Sequence, residues 1–186
     1  GWMRESTAQA EGLITSSAEM RMSVKRGPIQ ITITIETEFV ETESHEPVSM
    51  RAKQVMGALP IETTYTFTEA GVDVSTIQSG RTTTRTLPTP AGDWVTPALA
   101  SQIMADALAA GESSATVTVL DPAIGLVPVT TTRSGFEEAS IEVLGKVVPG
   151  YRVSSVTSIA PGSTSTDFID REGNLLRSTT SLGGMQ

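Results

Sequence analysis

The stretch "PIQITITIETEFVE", residues 28–41, decides the fold, because apolar and polar residues alternate along almost its whole length. One set is apolar: Ile29, Ile31, Ile33, Ile35 and Phe39. The other set is polar: Gln30, Thr32, Thr34, Glu36 and Glu38. A period of two in β-branched residues is typical of a strand with one buried face in an antiparallel sheet. The stretch therefore predicts such a strand.

The flanking sequence repeats this pattern and predicts a meander. In the preceding strand the apolar residues are Ala18, Met20, Met22 and Val24, and Lys25–Pro28 would form the turn. After the polar turn "TESHEP", residues 42–47, further alternating segments begin at Val48, Thr63 and Val72. Short turns between alternating segments predict at least five sequence-adjacent antiparallel strands before residue 88.

The segment "PTPAGDWVTP", residues 88–97, interrupts the strands and leads into a helix. Thr96 is a suitable N-cap, Pro97 suits the first helical position and Gly111 is a stop signal. Apolar residues follow at helical spacing: Leu99, Ile103, Met104 and Leu108. We expect this apolar stripe to pack on the Ile/Met face of the predicted sheet.

More strands are predicted after the helix: Ala115–Leu120, Val127–Arg133, Ala139–Leu144, Val147–Ile159, Thr164–Ile169 and Leu175–Thr180. Turns are predicted at Ser134-Gly135 and Pro149-Gly150, and a hairpin at Arg171–Asn174. The predicted fold class is mainly β (α+β): a large curved antiparallel sheet, or half-barrel, wrapped on one helix. We expect a single domain over residues 1–186, with a boundary near 88–97 as the alternative.

Composition excludes several classes of function. The net charge of −8 opposes binding to nucleic acid, and no apolar run is long enough to cross a bilayer. The chain has no cysteine and one histidine, so thiol catalysis and transition-metal sites are not expected, nor is a cofactor. Because the chain starts at Gly1 without an initiator Met, we interpret it as a piece of a longer protein.

No residue cluster predicts catalysis. His45 lies in a polar turn, and the acidic run is expected to be a solvated face: Glu36, Glu38, Glu41, Glu43 and Glu46. No serine stands in a nucleophile motif with a histidine. The least favoured alternative is a hydrolase that uses the carboxylates Glu36/Glu38 or Asp167/Asp170, and it would need one carboxylate in a cleft with a raised pKa.

The methionines suggest a different role. Their flexible side chains adapt to irregular apolar contents, and although core packing is the favoured explanation, a bound ligand is the alternative. The candidate lining residues for an apolar ligand are Met20, Met22, Ile31, Ile33, Met50 and Met104.

Three passages carry a resemblance to a known family: "GWMRE" (1–5), "TTYTFTEAGVDVSTIQSGRTTTRTLPTP" (63–90) and "FIDREGNLLRSTTSLGGM" (168–185). They resemble the region that precedes the catalytic domain in bacterial transglutaminase-like proteins. The late hairpin of that region, Asp-x-x-Gly-x-x-x-Arg, corresponds to Asp170, Gly173 and Arg177, with Asn174 between them. That family uses a Cys-His-Asp triad, so the absence of cysteine implies a non-catalytic part. We predict that Asp170, Asn174 and Arg177 shape a turn and an exposed ion pair.

The strand–helix–strand plan is also similar to the half-barrels of LolA/LolB-type lipoprotein carriers. Two hypotheses follow. The first is a non-catalytic extracytoplasmic accessory or recognition domain, periplasmic or membrane-anchored through other parts of its chain. Its partners would be an adjacent catalytic domain and a polypeptide or cell-envelope substrate. The alternative is a carrier or sensor of a lipid or another apolar ligand.

Overall fold

The computed structural model describes residues 2–26, 29–57, 59–143 and 145–180. They form two compact units. The first contains the described residues within 1–92 and 120–127, and the second contains those within 93–119 and 128–186. The division after residue 92 falls in the proline-rich segment 88–97.

The first unit contains a seven-stranded antiparallel meander in which the strands follow one another in chain order. Its strands are β1 (Trp2–Ala10), β2 (Leu13–Arg26), β3 (Ile29–Thr42), β4 (Pro47–Met56), β5 (Leu59–Thr68), β6 (Gly71–Gln78) and β7 (Arg81–Leu87). Of the predicted turn at Lys25–Pro28, Lys25 and Arg26 end β2, while Gly27 and Pro28 lie outside the described residues.

The register divides the side chains of this sheet between two faces, because directly opposite residues point to the same side. We call the side of the odd-numbered β3 residues the Phe39 face and the opposite side the Glu36 face. The Phe39 face holds the core of the unit: Phe39, Met50, Ala52, Tyr65, Val72 and Val74. The core thus lies on the face that the period-two pattern of β3 predicts, but at the Phe39 end of it, since Ile31 on the same face is exposed.

The segment 120–127 packs over part of the Phe39 face. The Gln54 amide Nε2 donates a hydrogen bond of 2.9 Å to the carbonyl of Ala123. Gly125 lies against the ring of Tyr65, so that a Cβ at this position would meet the phenol oxygen at 3.1 Å. This segment therefore covers the region around Gln54 and Tyr65.

The second unit combines one helix with a five-stranded antiparallel sheet of order β12-β11-β10-β9-β8. Its elements are α1 (Pro97–Ala109), β8 (Ser114–Leu120), β9 (Pro128–Val143), β10 (Lys146–Thr157), β11 (Thr164–Ile169) and β12 (Leu175–Thr180). Thr96 and Pro97 begin the helix as predicted, and Gly111 follows it with φ +69°.

The helix packs on this second sheet, within its own unit, whereas the sequence predicts packing on the Ile/Met face of the first. Met104, Ala107 and Leu108 form one buried cluster with Ala115 of β8 and with Val153 and Ile169 of β10 and β11. The connection from α1 to β8 is short, and short connections keep consecutive elements adjacent. The helix is thus held against the strands that follow it.

The prediction of a mainly β, antiparallel fold with one helix is confirmed over the described residues, and the strands are divided between two sheets. Two predicted turns are wrong, because Ser134-Gly135 and Pro149-Gly150 lie inside β9 and β10. Gly135, with φ +67°, lies where the register of β9 and β10 shifts between Arg152 and Ser154. At Gly150 a side chain would collide with the carbonyl of Ile169. These glycines serve a bulge and a close approach between strands.

Candidate functional site

Apolar side chains form two adjoining cross-strand ladders on the Phe39 face. In the first ladder, Met20 pairs with Met3 on one side and with Ile35 on the other, and Gln54 and Ile61 continue it through β5. The second ladder runs from Met22 through Ile33 and Met56 to Leu59. Among the described residues of β1 to β5, neither ladder contains a charged side chain.

We call the apolar residues of these ladders, with Ile31, the Met–Ile surface: Met3, Met20, Met22, Ile31, Ile33, Ile35, Met56, Leu59 and Ile61. Four of its members are largely exposed, including Met56 at 60% and Leu59 at 62%. The other five are half-buried. A contiguous exposed apolar patch is uncommon on a globular domain and often marks a binding surface.

The structure divides the six residues that are predicted to line an apolar ligand. Met20, Met22, Ile31 and Ile33 lie on the Met–Ile surface. Met50 is 1% exposed in the core of the first unit, and Met104 is 2% exposed beneath the helix of the second unit. Met56 and Leu59, at the tip of the β4–β5 hairpin, complete the surface. Leu59 could have been found from the register that a hairpin imposes on its strands.

The Glu36 face carries charged residues instead. A shallow groove of about 240 Å³ crosses β1 to β4 on this face. Its charged lining residues are Arg4, Glu19, Glu36, Glu38 and Arg51. Lys53 lies 3.4 Å from the Glu36 carboxylate, and Arg51 lies 3.4 Å from that of Glu62. Glu36 is thus part of a partly exposed ion pair, an arrangement that opposite charges on neighbouring strands form without any catalytic role.

The expectation that Glu41 belongs to a solvated face is wrong. Its side chain is fully buried, and the carboxylate oxygen Oε1 lies 2.7 Å from Nδ1 of His45. His45 is partly buried and takes a left-handed backbone conformation with φ +64°. The parity of β3 could have revealed this, because residue 41 falls in the same set as Phe39. The pair joins the end of β3 to the turn before β4.

The hairpin after β11 is built by Asp170 and Asn174. The Asp170 carboxylate accepts hydrogen bonds from the backbone N–H of Asn174 at 2.7 Å and from its side-chain amide at 2.9 Å. Gly173, with φ +84°, lies against Met104, and its carbonyl accepts a hydrogen bond of 3.2 Å from Arg133. The predicted turn is present, and these contacts give it a structural role.

The predicted ion pair between Asp170 and Arg177 does not form in the described part of this hairpin. Arg177 lies within β12 opposite Phe168, whereas Asp170 lies beyond the end of β11 and is bonded to Asn174. Asp167 is also engaged, since its carboxylate accepts a hydrogen bond of 2.7 Å from Ser178. The two carboxylates of the hydrolase alternative therefore hold separate structural contacts.

Within residues 2–26, 29–57, 59–143 and 145–180, no three His, Asp or Glu side chains are grouped so that they could hold a metal ion. Over the same ranges, no helix has both the length and the apolar character needed to cross a membrane. The passage "SLGGM" at 181–185 lies outside the described residues.

Comparison with known proteins gives a likeness in fold. No family model matches the sequence, and no curated protein does. Among solved structures, the chain is similar to a β-barrel-like protein of Brucella abortus described as a domain of unknown function, DUF1849. The TM-score is 0.67 at 13% sequence identity, and the match covers 97% of this chain and 81% of that one. The likeness shows a β-barrel-like fold.

Proposed function

We propose that this protein is a non-catalytic, extracytoplasmic binding domain that holds an apolar group, such as a lipid acyl chain, on the Met–Ile surface. The observation that carries the proposal is the pair of adjoining uncharged ladders on the Phe39 face, exposed at Met56 and Leu59. Such a surface costs free energy in water, and a ligand that covers it gains about 25 cal/mol for each Å² of apolar area removed.

The composition of the surface favours a flexible apolar ligand. Methionine side chains are unbranched and adapt to irregular contents, and four of the nine members are methionines: Met3, Met20, Met22 and Met56. The first ladder crosses five strands, which spans about 19 Å at the usual strand spacing. An extended hydrocarbon chain could lie along this distance without meeting a charge.

The resemblance to the region before a transglutaminase-like catalytic domain supports a further part of the proposal. In that setting the domain would present its apolar ligand beside a catalytic domain of the same chain, outside the cytoplasm. The sequence of the parent gene tests this part. An export signal upstream and a domain with Cys, His and Asp downstream would support it, and their absence would refute it.

Binding to the Met–Ile surface is tested with Nile red, an uncharged dye that fluoresces in apolar surroundings, and with dodecanol as a competitor. The variant Met56→Thr/Leu59→Thr should weaken the binding of both about tenfold, because two apolar contacts are lost. Both positions are exposed strand residues that tolerate threonine, so the fold should persist.

The matched control is Ile77→Thr. Ile77 is 47% exposed on the Glu36 face of the same sheet, opposite Glu62 and Thr82. The Ile77→Thr variant should bind the dye and dodecanol as tightly as the native protein does. Equal binding by the double variant and the native protein would refute the Met–Ile surface as the binding site.

A further inference from the structure

Arg81 and Gln78 continue the first ladder of the Met–Ile surface beyond its apolar end. Ile61 of β5 pairs with Gln78 of β6, and Gln78 pairs with Arg81, the first residue of β7. All three side chains therefore lie on the Phe39 face. The ladder changes from apolar residues to an amide and then to a cation, as an amphiphile changes along its length.

The distance between the apolar ladder and Arg81 is short enough for one ligand to contact both. Ile61 and Arg81 are separated by two strand spacings, or about 10 Å, and both Gln78 and Arg81 are exposed. An arginine side chain is long enough to lean toward the neighbouring strand. A ligand with its chain on the Met–Ile surface could reach Arg81 without bending away from the sheet.

The charges around Arg81 leave it available to an anion. On the Phe39 face of β4 to β7 the described residues include two cations, Arg81 and Arg85, and no carboxylate. Glu62 and Asp73 point to the Glu36 face, where Glu62 pairs with Arg51 and Asp73 accepts a hydrogen bond from Thr86. No ion pair of Arg81 forms among the described residues, in contrast to Arg51 and Lys53.

We propose, on the basis of the function proposed above, that the ligand is a single-chain carboxylate amphiphile, a fatty acid, whose head is bound by Arg81. The planar guanidinium offers two parallel N–H donors that match a carboxylate. The Gln78 amide lies between Arg81 and the apolar ladder, where it can donate a further hydrogen bond. The chain then extends from β5 onto the Met–Ile surface.

The test compares three ligands with the same chain and different heads: dodecanoate, dodecanol and dodecyltrimethylammonium. Each displaces Nile red from the native protein at a pH where the carboxylate is ionised. Dodecanoate should bind about fivefold more tightly than dodecanol, the effect of an exposed charge-assisted hydrogen bond. Dodecyltrimethylammonium should bind more weakly than either.

The variant Arg81→Gln should abolish the preference for dodecanoate while it leaves the affinity for dodecanol within about twofold, because the apolar ladders stay intact. The control Arg21→Gln removes the same charge from the Glu36 face, where Arg21 lies opposite Thr34. This control should keep the preference. Arg81→Lys should retain part of it, since the charge remains but the fork is lost.

The outcomes separate this inference from the function on which it rests. Equal affinity for all three ligands, or a preference that persists in Arg81→Gln, overturns the role of Arg81 and leaves the apolar site standing. Failure of dodecanol, dodecanoate and Nile red to bind overturns both proposals.

Discussion

The apolar faces of the two sheets are covered in different ways. The five-stranded sheet carries a helix, and together they bury Met104, Val153 and Ile169 almost completely. The seven-stranded sheet is larger, but its Phe39 face is covered by the short segment 120–127 around Gln54 and Tyr65. Met56 and Leu59 on the same face remain largely exposed. The comparison shows that similar alternating strands give a core or an open surface according to what covers them.

The largest expected effect is on stability, and it is seen by replacing one methionine in each unit. Met104→Ala should lower the free energy of unfolding by about 3 kcal/mol, because it leaves a cavity between helix and sheet. Met22→Ala should lower it by less than about 1 kcal/mol, since the side chain is only half-buried. Urea unfolding followed by circular dichroism measures both values. Similar losses would mean that the Met–Ile surface is packed as a core.

The same contrast shows how far the sequence could lead. Strict alternation in β3 predicts its strand and its faces, because a period of two follows directly from the pleat. The partial exposure of Met22 and the full burial of Met104 do not follow from their local patterns, which are both apolar and periodic. Their difference depends on which strands the helix and segment 120–127 contact, and those contacts are long-range.

The burial of Glu41 shows a second limit of prediction from the sequence. The position of Glu41 in the alternating pattern places it on the Phe39 face, whereas its charge predicts exposure to solvent. The partner that makes its burial tolerable, His45, lies in a turn whose left-handed backbone conformation has no glycine to announce it. The hairpin at Asp170 is easier to predict, because Asp and Asn in a turn with glycine have a local hydrogen-bonding pattern.

A smaller effect concerns the hairpin that places Gly173 against Met104. Asp170→Ala should lower the free energy of unfolding by about 1 kcal/mol, because two hydrogen bonds to Asn174 are lost. Arg177→Ala should change it by less than about 0.5 kcal/mol, since Arg177 forms no ion pair with Asp170. Thermal unfolding of the two variants compares them. Equal losses of stability in the two variants would support the ion pair between Asp170 and Arg177 that the sequence predicts.

The smallest expected effect concerns segment 120–127, which covers part of the first sheet. Burial raises the pKa of Tyr65 above the ordinary value of about 10, and Arg85 opposes this rise. A raised pKa in the folded state favours the neutral phenol, so its contribution to stability is complete below the unfolded pKa. This contribution is lost as the pH rises through the folded pKa.

The native protein should therefore lose stability between the unfolded and folded pKa of Tyr65, and Tyr65→Phe should lose less over the same alkaline range. The loss should be smaller than that caused by Asp170→Ala at neutral pH. Arg85→Gln should raise the pKa of Tyr65 further, because it removes the charge that lowers it. Ultraviolet absorbance of the phenolate follows this titration, and the difference between the native protein and Tyr65→Phe isolates Tyr65 from the second tyrosine. An ordinary pKa for Tyr65 would mean that segment 120–127 leaves its ring open to water, and the covered part of the Phe39 face would then resemble the Met–Ile surface.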